Sequence, residues 1–334
     1  MQKKKNKKYR VASLFAGCGG SDLGILGGFE FLGKKYSKLP FDIVYALDND
    51  AKAVATYNAN FKHPAVMKNI EDCKMSEIPD IDFLIGGFPC QSFSTVNPKK
   101  NPFDERGQLF KQMAKILKVK QPKIFVGENV KGMLVLKNGE IYRNIEKSFE
   151  KSGYVVVHKL VNAANYGVPQ RRQRVFMIGI RKDIAAKFEF PDELYAENPT
   201  GKQKKWVGVG KVIDSLIPED PKYFFSEKAV KGMRKAKNNM KRGLWQDLDK
   251  PCLTLTSHLA KVSINSRDPV LLVDEKKDLY RRFTPREAAR IQSFPDTFNF
   301  VGSDANAYKQ IGNAIAPVVM WHMAKKVLAI LEGK

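Results

Sequence analysis

The sequence has little with which to bind a metal or cross-link itself. Its four cysteines (Cys18, Cys73, Cys90, Cys252) and four histidines (His63, His158, His258, His322) are scattered, and no CxxC pair occurs. That spacing excludes a zinc-finger pattern and a dense disulfide framework, so no metal site is expected. No apolar run approaches the roughly 18 residues needed to cross a bilayer. The basic opening MQKKKNKKYR runs into a short strand, not the apolar core of a secretory signal. No membrane partner is expected, and the cytoplasm is the default location. With 43% apolar residues and only 17 prolines, the 334-residue chain can bury a full core and is expected to form two domains. Acids are the scarcer charge: 35 against 58 Lys and Arg, a formal +23. Such an excess favours a polyanionic partner, because phosphate neutralisation releases counterions. A lysine-biased composition on ordinary surfaces is the competing explanation.

What is present is an alternation of apolar strands and helices up to about residue 181, which argues for a layered α/β sheet. The first strand, 11–15, enters the glycine-rich turn Ala16-Gly17-Cys18-Gly19-Gly20 at the head of a helix. Backbone N–H groups can approach a ligand closely in such a turn. The spacing is not GxGxxG, so the dinucleotide fingerprint is not met. A second strand, 41–47, closes on Asp48-Asn49-Asp50. An acid there can bond ribose hydroxyls or cap the helix expected over 51–61, and Asp48 and Asp50 can divide the two tasks. A third strand, 82–87, leads into Gly86-Gly87-Phe88-Pro89-Cys90-Gln91. Cys90 therefore lies at a strand's carboxyl end, where open α/β sheets bind ligands. The thiol is equally open to being a nucleophile or a small buried hydrophobe.

Residues 94–107 read as a polar loop whose Lys99, Lys100 and Arg106 either meet phosphates or are simply solvated. The strand 123–127 ends at Glu128, an acid on the same rim as Cys90. Arg172 and Arg174 are two apart, so in extended chain they face the same way. They suit an anion, a base, a carboxylate or a salt-bridged sheet edge. From 182 to 278 the texture changes to short β-like pieces, basic runs and scattered aromatics, read as a separate small basic domain. Thr284-Pro285-Arg286-Glu287 is a capping box with proline at the first helical position. Ile315, Val319, Met323, Val327 and Leu331 give the closing helix one apolar stripe, expected to pack on the first domain.

Seven blocks in register resemble the DNA (cytosine-5)-methyltransferases of bacterial restriction-modification systems. They are SLFAGCGGSDLG, ALDND, GGFPCQSFS, GENV, QRRQRVFMIG, RRFTPREAARIQSFPD and YKQIGNAIAPVV, spanning residues 13–319. The resemblance implies the α/β fold of S-adenosylmethionine-dependent methyltransferases: a Rossmann-like mixed sheet with a reversed last strand and a smaller, irregular target-recognition domain. It implies a catalytic and donor-binding domain over 1–181 completed by 304–334, target recognition over 182–278, and a connecting hinge over 279–303. S-adenosylmethionine is the implied methyl donor. Phe15, Ala16, Gly17, Gly19, Gly20, Asp48, Asn49, Asn69, Ile70, Gly87, Pro89, Leu109, Asn313 and Ala314 would surround it. Two positions depart from the family's pattern. Asn49 replaces a common aromatic, and Asn69 stands where an acid often meets the adenine amine, with Glu71 or Asp72 as substitutes.

The chemistry suits these side chains. C5 of cytosine is too weak a nucleophile to take a methyl group directly, and a Cys90 thiolate adding at C6 activates it. Neighbouring arginine charge would favour the thiolate. Glu128 would hold or protonate N3, while Arg174, and secondarily Arg172, would orient Glu128 and contact the pyrimidine carbonyl. The base must first leave the stack, at a cost of a few kcal/mol. DNA contacts are expected from Gln91, Ser94, Lys99 and Arg106, the loop closing over the flipped base. A further contact is expected from Thr254 in the Thr-Leu element Pro251-Cys252-Leu253-Thr254-Leu255-Thr256, where Cys252 is read as structural. The implied partners are double-stranded DNA and a separately acting restriction endonuclease. The implied setting is a monomer in the bacterial cytoplasm, associated with the nucleoid. A tRNA methyltransferase on the same scaffold is the competing reading, though the Cys-Phe-Thr element of that branch is not found. A non-catalytic DNA-binding relative is the third, disfavoured by the intact Cys90, Glu128, Arg172 and Arg174.

Overall fold

The computed structural model describes residues 7–88, 108–214, 218–235, 245–261 and 270–334. Seven strands form one sheet: β1 (Tyr9–Leu14), β2 (Phe41–Asp48), β3 (Val66–Met67), β4 (Phe83–Gly86), β5 (Ile124–Val130), β6 (Tyr154–Asn162) and β7 (Gln173–Arg181). Their order is β3-β2-β1-β4-β5-β7-β6. Strands β3 to β5 run parallel, and β7 is antiparallel to both its neighbours, the reversed strand the resemblance implies. The near-continuous apolar runs of β1, β4 and β5 follow from helices covering both faces.

The chain leaves β1 towards β2 on one side and later returns to β4 on the other. The strand order thus reverses between β1 and β4, and ligands of open α/β sheets bind in the crevice at such a reversal. In register, Leu14 pairs with Gly86 and Gly86 with Gly127. The residues that follow β1, β4 and the middle of β5 therefore share one rim.

The helices are α1 (Gly20–Leu26), α2 (Ala51–Asn60), α3 (Phe110–Lys120), α4 (Glu140–Lys151), α5 (Glu227–Lys235), α6 (Pro285–Ile291), α7 (Asp304–Asn313) and α8 (Pro317–Leu331). One face of the sheet packs on α1, α2, α7 and α8, the other on α3 and α4. The α8 stripe is as expected: Val319, Met323, Val327 and Leu331 are buried. Asp50 caps α2, and Thr284 and Glu287 form the capping box of α6. By length and composition alone, the stretch Asp304–Leu331 could cross a membrane. Ala314 takes an extended conformation that separates α7 from α8, and most of the apolar surface lies in the core.

One expectation changes. The strand expected to end before Glu128 continues to Val130, so the acid lies within β5 and its pairing with β7 fixes its direction. Val230, Met233, Val270 and Tyr280 make a small cluster of their own, whereas Val209, Val212, Leu255 and Leu259 join the main core. Within the 279–303 connection Phe283, Ala288, Ala289, Ile291 and Phe294 are fully buried. Their apolar side chains fill the space between the sheet-covering helices and the basic segment.

Candidate active site

The donor side of the rim begins where β1 ends. Phe15 has φ 56, an uncommon value for a bulky residue, and turns the chain sharply out of the strand. Gly17 follows at φ +57, and a Cβ there would meet nothing within 4 Å, so the turn borders open space. Its N–H donates to Asp48 Oδ2 (2.8 Å), and the Asp50 N–H donates to Oδ1 (2.9 Å). Burial pushes the Asp48 carboxyl above its ordinary range, while these N–H groups oppose the shift. A half-buried, pre-oriented acid facing a glycine turn at the strand-order reversal fits the ribose of a nucleoside donor.

The two departures from the family's pattern meet each other: Asn49 Nδ2 donates to Asn69 Oδ1 at 3.0 Å. Ile70 is buried beside them, and Leu109 stands at the head of α3. Ala16 is buried, and Gly19 packs against the Phe61 ring. A Cβ on Gly20 would sit 2.5 Å from the Ile315 carbonyl oxygen, so its smallness serves the packing of α1 on the turn before α8. Asn313 ends α7 with its side chain outward, and Ala314 follows it.

Beneath this loop lies a residue that sequence reasoning passed over. Asp22 is fully buried and accepts from Ser13 Oγ (2.9 Å), Ser21 Oγ (2.9 Å) and the Tyr57 hydroxyl (3.0 Å). Burial pushes its carboxyl up, and the three hydroxyls oppose that. It ties β1, α1 and α2 together under the donor turn. The available signal was an acid on the inner side of a helix too short to solvate it.

The catalytic side is built on β5 and β7. Phe176 pairs with Glu128, which makes Arg174 its diagonal neighbour on the same face. Arg174 Nε lies 3.1 Å from Glu128 Oε1, and both side chains are largely buried. Burial lifts the Glu128 carboxyl above its ordinary range, with Arg174 and then Arg172 pulling it back. Gly87 belongs to this half of the rim: a Cβ on it would stand 3.5 Å from Glu128 Oε2. Asn129, buried next to Glu128, donates from Nδ2 to the Phe88 carbonyl (3.2 Å) and so anchors the chain just beyond β4. Pro89, Cys90, Gln91, Ser94, Lys99, Lys100 and Arg106 lie outside the described residues.

Arg172 and Arg174 do face the same way, lining one small cavity with Val161, Phe176, Ile315 and Val319. Their tasks differ from those expected. Arg172 is 3% exposed and donates from Nη1 to the Leu255 carbonyl (3.1 Å) and from Nη2 to the Gly312 carbonyl (2.8 Å). Burial and the neighbouring Arg174 lower its proton affinity, while Glu128 supports its charge. Its Nη1 and Nη2 are thus engaged with backbone, its buried Nε has no hydrogen-bond partner among the described residues, and Arg174 is the ion-pair partner of Glu128 there. Thr254, expected at DNA, donates its hydroxyl to the Arg171 carbonyl (2.8 Å), and Cys252 is fully buried as a structural residue.

Four likenesses bear on this geometry. The family model described as C-5 cytosine-specific DNA methylase matches residues 9–329. The type II methyltransferase M.FnuDI of Fusobacterium nucleatum is 34% identical, across 97% of this chain and 96% of its own. M.NgoPII of Neisseria gonorrhoeae is 35% identical, with the same shares covered. Among solved structures, a DNMT2 variant from Spodoptera frugiperda has a TM-score of 0.74 at 19% identity. That match covers 96% of this chain and all of that one, a likeness of fold.

Proposed function

The chain belongs to the C-5 cytosine-specific DNA methylase family, and from that premise we propose that it methylates C5 of one cytosine within a specific duplex sequence, using Cys90 as nucleophile. Enzymes of the family depend on S-adenosylmethionine, which supplies an electrophilic methyl group when bound. Asp48, the Gly17 turn and the Asn49–Asn69 pair would hold it.

The observation that carries the reading is the buried Glu128–Arg174 pair beside Gly87, which precedes Cys90 by three positions in the sequence. When Cys90 Sγ adds to C6, the C5–C6 π pair shifts to C4–C5, and the displaced C4–N3 pair is taken up at N3. Glu128, whose raised proton affinity lets it carry a proton, donates at N3 and offsets that charge. Arg174 fixes the carboxyl's orientation. After methylation solvent water takes the C5 proton, the C–H pair re-forms the C5–C6 π bond as the Sγ–C6 bond breaks to return the thiolate, and N3 gives its proton back to Glu128. Asn129 holds the chain at Phe88 while the flipped base is engaged.

The basic 182–278 segment selects the target, with phosphate contacts supplying affinity. Type II relatives suggest a separately acting endonuclease of the same specificity as partner, with this chain working as a monomer on nucleoid DNA. Bisulfite sequencing of a host without cytosine methylation, expressing this chain, should show one protected sequence context. Cys90→Ala should abolish that protection while DNA binding persists. Full methylation by Cys90→Ala would overturn the mechanism, and tritiated methyl transfer to tRNA but not to duplex DNA would overturn the substrate.

A further inference from the structure

The polar groups around Arg172 form a buried joint between the basic segment and the rim. Residues Gln170–Arg171 pair in parallel with Cys252–Leu253. Beyond that short ladder both ends of the Leu255 residue are captured: its N–H donates to Gln170 Oε1 (3.0 Å), and its carbonyl accepts from Arg172 Nη1. The same two side chains are tied to the catalytic core. Arg172 Nη2 reaches the Gly312 carbonyl at the end of α7, and Gln170 Nε2 donates to Gln292 Oε1, whose own amide donates to the Ala314 carbonyl. Gly312 closes the contact sterically: a Cβ on it would stand 2.4 Å from the Thr256 carbonyl carbon. All three side chains are buried, so each bond is made away from competing water.

We propose that Arg172 is a positioning residue, acting with Gln170 and Gln292 to set the Thr254–Leu255–Thr256 turn at a fixed place on the rim, and that it does not touch the cytosine. The inference rests on reading the 182–278 segment as the part that meets DNA. A guanidinium suits the task because one rigid fork reaches two carbonyls from different elements. Removing it leaves the Leu255 and Gly312 acceptors buried and unpaired, so the turn loosens while Glu128 keeps Arg174.

The test is Arg172→Met, assayed on a duplex carrying the site found by bisulfite sequencing, with wild type showing that the enzyme methylates it. The KM for DNA should rise about tenfold or more with kcat within about threefold, and Arg172→Lys should recover part of the loss. Amide hydrogen exchange at Leu255 should accelerate in the methionine variant, a readout independent of any activity. Wild-type protection at Leu255, or a hundredfold fall in kcat at unchanged KM, would overturn the proposal. If Arg172→Met does not fold, Arg172→Lys carries the same measurements and the same refuting outcomes. Inactive wild type with a loosened Leu255 in the variant would instead locate the failure in the functional reading.

Discussion

Replacing Arg174 with methionine keeps most of the side chain's volume and removes the charge paired with Glu128. At 3.1 Å and an effective dielectric of about 20, the pair is worth roughly 5 kcal/mol. Side-chain exposures of 19% and 12% let water screen part of that, which brings the loss to about 3 kcal/mol, the low end for breaking a buried pair. At an unfolding entropy of about 2.1 cal/mol/K per residue, this size of chain should lose roughly 4 °C in Tm. The loss should depend on pH. Glu128's folded-state proton affinity is raised, so its contribution is fully present below the unfolded carboxyl pKa and is lost as pH rises through the folded value. Without Arg174 that folded value climbs further, so the variant's deficit should be smallest in mild acid and grow as pH rises through neutrality. Thermal melts of both proteins across that range provide the assay, and kcat should fall by at least about a hundredfold at neutral pH. A deficit independent of pH, or one that shrinks as pH rises, would refute the assignment of the pair.

Two further perturbations separate the donor site from the scaffold. Asp48→Asn keeps an acceptor for one of the two N–H groups but forfeits the charge, worth about 1.5–3 kcal/mol for hydrogen bonds to a carboxylate. Titration calorimetry with S-adenosylhomocysteine should show binding weakened roughly 10- to 100-fold, and unchanged affinity would remove Asp48 from the site. Glu287→Ala should act on stability alone. It strands Arg281, which pairs with both Glu287 oxygens at 2.7 Å in a fully buried setting, and it removes half of the α6 capping box. A loss of about 3–5 kcal/mol, or roughly 4–7 °C, is expected by calorimetry. A melt within 1 °C of wild type would contradict it.

Much of this was legible before folding. The strand–helix alternation follows from apolar periodicity, which is local. The helix caps at Asp50 and Thr284 follow from side chains that bond backbone a few residues away, which is equally local. Period-two spacing placed Arg172 and Arg174 on one face. It could not say which would meet Glu128, because the answer depends on the diagonal register of β7 against β5. Gly20 reads as a member of a glycine-rich turn and Gly312 as part of the block YKQIGNAIAPVV, yet each meets backbone from a distant part of the chain that leaves no room for a Cβ.

The sequence by itself determined the sheet-and-helix layering, the order of motif blocks and the chemical types at the rim, because these depend on periodicity and on residue identity. Only the tertiary structure decided the division of labour among them: Arg174 on the acid, Arg172 on the Leu255 turn, Asn49 with Asn69, and Asp22 under the Gly17 turn. Each of these pairings joins residues far apart in the chain or on different strands. Whether a polar group is bonded or stranded there depends on strand register and on how closely the layers approach, which no local pattern encodes.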